Sequence, residues 1–138
     1  MNEAITAPLT AIASMSFSAL PPLGADLDAG KFAGITTKKD GTHCAVVLLP
    51  TKGEDLSWSA ALNWAKEQGG ELPSRPVASL LFANVKPELE VGWHWTSEED
   101  EHNASYAWGC YFGHGHIGNN HKSAEGSAVA VRMIPLNA

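Results

Sequence analysis

Lys38-Lys39-Asp40-Gly41-Thr42-His43-Cys44-Ala45-Val46-Val47-Leu48-Leu49-Pro50 decides how the rest of the chain reads. Asp40-Gly41 is a tight-turn pair, with the short apolar run Phe32-Ala33-Gly34-Ile35 before it and the β-rich run from His43 to Leu49 after it. That arrangement predicts a β-hairpin. The second strand is apolar at consecutive rather than alternate positions, so it is expected to be buried on both faces and central in its sheet. Pro50 is read as its end, because proline has no N–H to give to a ladder.

Downstream the period changes. Ser57 is placed to cap a helix in which Trp58, Ala61, Leu62 and Ala65 recur at i, i+3, i+4 and i+7, and Gly69-Gly70 stop it. Leu72-Pro73-Ser74-Arg75-Pro76 turns the chain into a second short helix, with Pro76 in its first turn, Val77, Leu80 and Leu81 on one face, and an end near Asn84 ahead of Pro87. The pattern then alternates. Trp93 and Trp95 share a face, as do Tyr106, Trp108, Cys110 and Phe112, and again Val129, Val131 and Met133. Three late strands are predicted, separated by polar loops from Thr96 to Ala104 and from Gly113 to Gly126. A hairpin, two helices and three strands make an α+β fold.

Working back from the hairpin, residues 1–30 read as an extended apolar N-terminal arm and residues 31–138 as the folded domain. A secretory leader needs Lys or Arg ahead of its apolar run, whereas Glu3 is the only charge before Asp26. Prolines, serines and threonines interrupt the run, so no membrane span is expected. The arm is either a frayed tail or a segment that docks on a partner or a neighbouring subunit. Ile5, Leu9, Ile12, Met15, Phe17, Leu20 and Leu23 favour docking, since they gain free energy on burial. Repeated copies of the chain would bury such residues, so a homo-oligomer is expected.

The 138 residues suffice for one domain. Nine basic against fifteen acidic side chains leave a net charge of −6, which argues against nucleic acid and anionic membrane surfaces as partners. Cys44 and Cys110 belong to no C-x-x-C pair and read as free buried thiols.

The order of motifs is that of a known family. Phe32-Ala33-Gly34-Ile35, Asp40-Gly41, Leu56-Ser57-Trp58 with Ala60-Ala61 and Trp64-Ala65, and Gly70-Glu71-Leu72-Pro73-Ser74-Arg75 resemble the DUF1566 family. Leu80-Leu81-Phe82-Ala83-Asn84, Trp93-His94-Trp95-Thr96-Ser97-Glu98, Ser105-Tyr106-Ala107-Trp108, Asn120-His121-Lys122-Ser123 and Val131-Arg132 continue the series in order, over about residues 30 to 135. The resemblance implies a C-type-lectin-like fold, two helices packed on a twisted antiparallel sheet, related to ligand-displaying domains of phage tails and surface proteins. Where the family tends to end in Arg-Ala-Val-Arg-Arg, this chain has Ala128-Val129-Ala130-Val131-Arg132-Met133. The calcium-lectin triplets Glu-Pro-Asn, Gln-Pro-Asp and Trp-Asn-Asp are absent, so calcium-dependent sugar binding is not carried over.

Other motifs read more plainly. Gly113-His114-Gly115-His116-Ile117-Gly118 matches the dinucleotide fingerprint, but the turn-like Asn119-Asn120-His121-Lys122-Ser123 follows where a helix would have to begin. His94, His102, His114, His116 and His121 lack metal-ligand spacing and read as exposed loop histidines, or as a pH-sensitive contact. Glu98-Glu99-Asp100-Glu101 reads as a solvated acidic loop, with Thr96 and Glu99 also fitting a helix capping box. No nucleophile-and-base pattern stands out, and no catalytic residue, metal or cofactor is assigned. Trp58, Trp64, Trp93, Trp95 and Trp108 read mostly as core anchors. Tyr111, on the opposite face from Trp108 and Phe112, marks with His114, His116, Asn119, Asn120 and His121 the expected ligand surface.

The expected function is that of a non-enzymatic phage virion protein, a display or binding module on tail, fibre or capsid. It would be held to other virion proteins by its arm and would meet a host-surface protein or glycan. The alternative is an intracellular prophage-encoded module that binds or regulates a host protein.

Overall fold

The computed structural model describes residues 11–138. In chain order these form β1 (Met15–Ser16), a 3-10 turn (Phe17–Ala19), β2 (Asp26–Leu27), β3 (Gly30–Thr37), β4 (His43–Leu56), α1 (Trp58–Glu67) and α2 (Arg75–Asn84). A second 3-10 turn (Lys86–Glu88), β5 (Trp93–Glu99), β6 (Tyr106–Tyr111), β7 (His116–His121) and β8 (Gly126–Asn137) complete the domain. The architecture is α+β, two helices on one eight-stranded sheet ordered β2-β3-β4-β8-β5-β6-β7, with β1 also paired to β8.

The predicted hairpin forms as β3 and β4. Gly41 N–H donates to Lys38 C=O at 2.9 Å, and the Asp40 carboxylate accepts the Thr42 N–H at 2.9 Å. Gly41 has φ +90°, a conformation that side chains with a Cβ rarely adopt. β4 is central, between β3 and β8, and is buried continuously from Cys44 to Leu49. The helices explain the two-sided burial. Ala45, Val47 and Leu49 share a core with Ala61 and Ala65 of α1, while Val46 and Leu48 share a second core with Val77, Ala78 and Leu81 of α2. One helix therefore covers each face of β4, and alternate residues along the strand feed different cores.

Both helices start and stop as their sequences predict. The Ser57 and Ser74 hydroxyls accept from the Ala60 and Val77 N–H groups at 3.4 and 3.3 Å. At the end of α1, Gly70 N–H donates to Ala65 C=O and Gly69 N–H to Lys66 C=O, with Gly69 at φ +85°, which closes the helix in a Schellman arrangement.

Four expectations are corrected. The sheet is mixed rather than antiparallel, because β1 runs parallel to the end of β8 (Met15 opposite Leu136) and β5 meets β8 in parallel at His94 opposite Ser127. Residue pattern specifies that a strand forms, and the route of its connections sets its direction. Pro50 does not end β4, which runs on to Leu56. The pairing with β8 shifts between Leu48 and Lys52, so the proline sits in an irregularity where its missing N–H removes no ladder bond. The stretch from Gly113 to Gly126 contains a strand, β7, an edge strand whose order comes from pairing with β6 rather than from an apolar pattern of its own. β5 likewise extends through Glu99, and Thr96 is a buried strand residue whose hydroxyl donates to Trp108 C=O at 2.8 Å, so it caps no helix.

Residues 11–30, expected to be an extended arm, lie against the rest of the domain and contribute β1 and β2 to its sheet. Ile12, Met15, Leu20 and Leu27 pack on the α1-side core. The Ile12 backbone is held at both ends, its N–H reaching Asp28 Oδ1 at 3.5 Å and its C=O accepting from Arg132 Nη2 at 3.0 Å, while Arg132 and Asp28 form an ion pair. Phe17 and Leu23 stay exposed, at 41% and 54%. Ile5 and Leu9 lie outside the described residues. No described helix is long and apolar enough to cross a membrane.

Candidate functional site

The six residues expected to form a ligand surface divide between the two faces of the β6–β7 hairpin. Register places Tyr111 opposite His116, Gly109 opposite Gly118 and Ala107 opposite Asn120, all on the face shared with Trp93 and Trp95. Ile117, Asn119 and His121 alternate to the other face. There Asn119 Nδ2 donates to Asp100 Oδ2 at 2.7 Å, and the His121 ring meets Tyr106 at 5.6 Å and Ser123 Oγ at 2.7 Å. Asn119 and His121, both exposed, therefore stand on the opposite face with these partners, and the structure brings together Tyr111, His114 and His116, with Asn120 along the strand.

Those three rings cluster at the hairpin tip. Tyr111 lies 5.6 Å from His114 at an interplanar angle of 20° and 6.3 Å from His116 at 30°, and the two imidazoles are 6.1 Å apart at 42°. α1 packs on β4, β5 and β8, and leaves this corner of the sheet open. Tyr111 is 38% exposed, and His114 and His116 are exposed as well.

Trp93 supports the cluster from beneath. Its ring meets Tyr111 edge-on at 5.0 Å and Trp95 at 5.6 Å. It lies over two glycines: a Cβ on Gly109 would come within 2.6 Å of ring atoms Cε2 and Cη2, and one on Gly126 within 2.6 Å of Cδ1. The hairpin tip is fixed by Gly115 N–H donating to Tyr111 C=O at 2.7 Å and by Gly115 lying against Phe82 of α2, with the Lys86 ammonium on that ring at 4.8 Å. Val91, 79% exposed, stands beside Gly113. Trp93 packs against the α1-side core, as the sequence predicts, and it is the seat of its ring on Gly109 that the sequence does not announce. The signal for that seat is a glycine in mid-strand, Gly109 opposite Gly118 on the paired strand, which marks close approach of another group.

The remaining motifs have structural roles. The acidic run is not a solvated loop. Glu98 pairs with Arg75 at 2.9 Å and accepts the Arg75 N–H at 2.7 Å, Glu99 pairs with Lys122 at 2.6 Å, and Asp100 is buried and accepts from His102 N–H and Asn119. Burial works to raise the Glu98 carboxyl, but the Arg75 N–H and guanidinium outweigh it and hold the group below the usual carboxylate range. The His102 N–H and then the Asn119 amide do the same for Asp100. Arg75 also lies over the Trp108 ring at 4.6 Å.

His94 is not in an exposed loop. It is buried on β5 against Phe112 at 4.6 Å, with Nδ1 3.0 Å from Gly92 C=O, and burial pushes its imidazole below the usual value. Among the described residues, no three His, Cys, Asp or Glu side chains converge as a metal site. Cys44 and Cys110 are buried free thiols, and burial pushes the Cys110 thiol up to about 11. The glycine-rich fingerprint is the β6–β7 connection, with strand β7 where a nucleotide site needs a helix.

Two concavities lie elsewhere. A groove of about 730 Å³ runs along the N-terminal end of α2, with Leu72, Val77, Ile117, Val131 and Met133 as an apolar floor and Lys38, Lys39, Glu71 and Glu98 among its polar lining. A hollow of about 460 Å³ lies between the Asp26–Lys31 turn and β4. No protein-family model matches the sequence, and no curated protein matches it.

Proposed function

We propose that this protein is a non-enzymatic, virion-associated binding module of a phage or prophage, with a C-type-lectin-like fold of the DUF1566 kind. The observation that carries this reading is the exposed cluster of Tyr111, His114 and His116 mounted on a rigid hairpin, an arrangement of adaptable polar and aromatic groups suited to surface recognition. The order of sequence motifs supports the family, and the disposition of the chain supports display. β5 meets β8 at Ser127 and β1 meets it at Leu136, so the N-terminal segment joins β8 about 30 Å along the strand from the Trp93 end. Attachment and recognition then fall at separate ends. Ile12, Met15 and Leu20 are committed to the domain's own core, which leaves Phe17 and Leu23, with Ile5 and Leu9, to contact other virion proteins.

Mass spectrometry of gradient-purified particles from a producing strain tests this reading. Many copies relative to the major capsid protein indicate decoration, and a few indicate tail tip or fibre. A particle without the protein overturns the proposal and moves the weight to an intracellular module that binds a host protein. Deleting residues 1–10 and replacing Phe17 and Leu23 with serine should abolish incorporation while leaving the circular dichroism of the purified chain unchanged.

A further inference from the structure

We propose that β7 is a self-pairing edge: two copies of the chain join there by antiparallel addition of β7 to β7, in the one register that sets Gly118 opposite Gly118 of the second copy. The phase of the hairpin decides which backbone groups are open. Lys122 N–H donates to Ser105 C=O at 2.8 Å, and the β6–β7 register runs without a shift from Tyr106 opposite His121 to Tyr111 opposite His116. Backbone groups alternate sides along a strand. His116, Gly118 and Asn120 therefore direct theirs at β6, while Ile117, Asn119 and His121 direct theirs outward. His121 is already satisfied, since Asn120 Oδ1 accepts its N–H at 2.9 Å and Ala124 N–H donates to its C=O at 2.9 Å. That leaves Ile117 and Asn119, whose N–H and C=O groups have no partner among the described residues.

These open groups fit a second copy of themselves in one way. Residues opposite each other in an antiparallel pair carry their side chains on the same face, so a two-fold axis normal to the sheet must pass through a residue of β7 rather than between two. Centring on Gly118 sets Ile117 opposite Asn119 of the second copy, and Asn119 opposite its Ile117. Each of those pairs exchanges both bonds, and the four bonds use every open group on both copies. Centring on Asn119 would set Ile117 against the His121 that is already satisfied. Centring on Ile117 would set Asn119 against Gly115 in the hairpin connection.

The composition of the strand permits the contact. Edge strands are ordinarily blunted by lysine, proline, a bulge or brevity. At the other edge of the sheet β2 has two residues, one of them Asp26, and β3 carries an irregularity between Phe32 and Gly34. β7 has six residues, an unshifted register and no Asp, Glu, Lys, Arg or Pro, so self-pairing sets no like charges opposite one another. At the axis the two glycines present no Cβ. On the face shared with Tyr111, His116 stands opposite Asn120 of the second copy. The two ring clusters then lie on one side of the joined sheet, with their His116 residues about 13 Å apart along the strands.

Sedimentation velocity on the full chain across a concentration series, with hydrogen exchange at the same concentrations, tests this. A monomer–dimer equilibrium is expected, with exchange at the Ile117 and Asn119 amides slowing as dimer accumulates. Gly118→Lys should weaken association about fivefold by setting two ammonium groups opposite each other, while the Phe17→Ser/Leu23→Ser pair leaves it unchanged. Gly118→Cys reads the register. Cα atoms about 4.5 Å apart in a non-hydrogen-bonded pair are within disulfide range, so oxidation by glutathione disulfide, itself reduced to two glutathione thiols, should give a covalent dimer. Asn120→Cys under the same conditions should give none, because its copies lie about 13 Å apart along the strands, and the native Cys44 and Cys110 are buried. Circular dichroism checks that each variant is folded. A chain that stays monomeric throughout the series, or a dimer whose Ile117 and Asn119 amides exchange as fast as in the monomer, overturns the proposal. A folded Gly118→Cys chain that forms no covalent dimer, or an Asn120→Cys chain that forms one as readily, overturns the register. Absence of the protein from particles would end the virion reading and leave this pairing standing, since it rests on the backbone of β7 alone.

Discussion

Trp93 occupies the space that a side chain on Gly109 would need. The two residues belong to paired strands, and the indole lies across the bare backbone with Tyr111 against its edge. The exposed surface of the hairpin tip is thus built on a contact that only glycine permits.

Gly109→Ala should force the Trp93 ring out of its seat at a cost of about 2 kcal/mol. A urea melt measures the loss, and Trp93 fluorescence should shift because the ring leaves its half-buried position. An unchanged midpoint would mean that the ring has a second seat of equal energy.

Trp93 and Trp95 should respond differently to replacement by phenylalanine. The Trp95 indole N–H donates to Leu56 C=O at 2.8 Å and the residue is fully buried, whereas the half-buried Trp93 has a buried N–H with no partner among the described residues. Trp95→Phe is expected to cost about 2–3 kcal/mol, through a cavity and an orphaned carbonyl. Trp93→Phe should change stability by less than about 1 kcal/mol, since removing an unsatisfied donor offsets part of the lost packing. Equal losses in chemical denaturation would contradict this account.

Buried His94 should give stability a pH dependence of definite sign. The unfolded chain takes up a proton near the ordinary value of 6.5, while the folded chain resists it until a lower pH. Between those two values the unfolded state binds more protons, so stability falls as pH drops from 6.5 towards the depressed value and then levels. Urea midpoints measured across that window should decline in the wild type and stay flatter in His94→Gln. Parallel curves would assign the slope to other groups.

Arg132→Ala should loosen the N-terminal segment. It removes the ion-pair partner of Asp28, whose side chain is only 9% exposed, and the donor to Ile12 C=O, at a cost of about 3 kcal/mol. Hydrogen exchange should accelerate at Ile12 and through Met15–Ser16. Unaltered protection would show that the apolar contacts of Ile12, Met15 and Leu20 hold the segment unaided.

The parts of the fold legible in the sequence are those whose cause is local. Asp40-Gly41, the Ser57 and Ser74 caps, the Gly69 stop and the unbroken apolar run of β4 each specify their own conformation within a few residues, and each appears where it was expected. β7 was not legible, because His116 to His121 has no apolar alternation and is ordered by its neighbour. Of the candidate site, Tyr111, His114 and His116 were legible from composition and strand parity. The structural duties of Asn119 and His121 were not, since they depend on Asp100 and Tyr106 reaching the same face from other strands.

The sequence by itself determined where the helices and the central hairpin lie, that β4 is buried on both sides, and that a tyrosine faces away from the core beside a histidine-rich turn. These follow from turn chemistry, capping and periodicity, which act over a handful of residues. Only the tertiary structure decided that each helix covers a different face, that two strands run parallel to β8, and that the acidic run is spent on Arg75, Lys122 and Asn119. It also decided that Trp93, at the margin of the α1-side core, lies over Gly109 and supports Tyr111. Those outcomes depend on which distant segments meet, and a side chain's partners across the sheet are set by register and packing rather than by its neighbours in the chain.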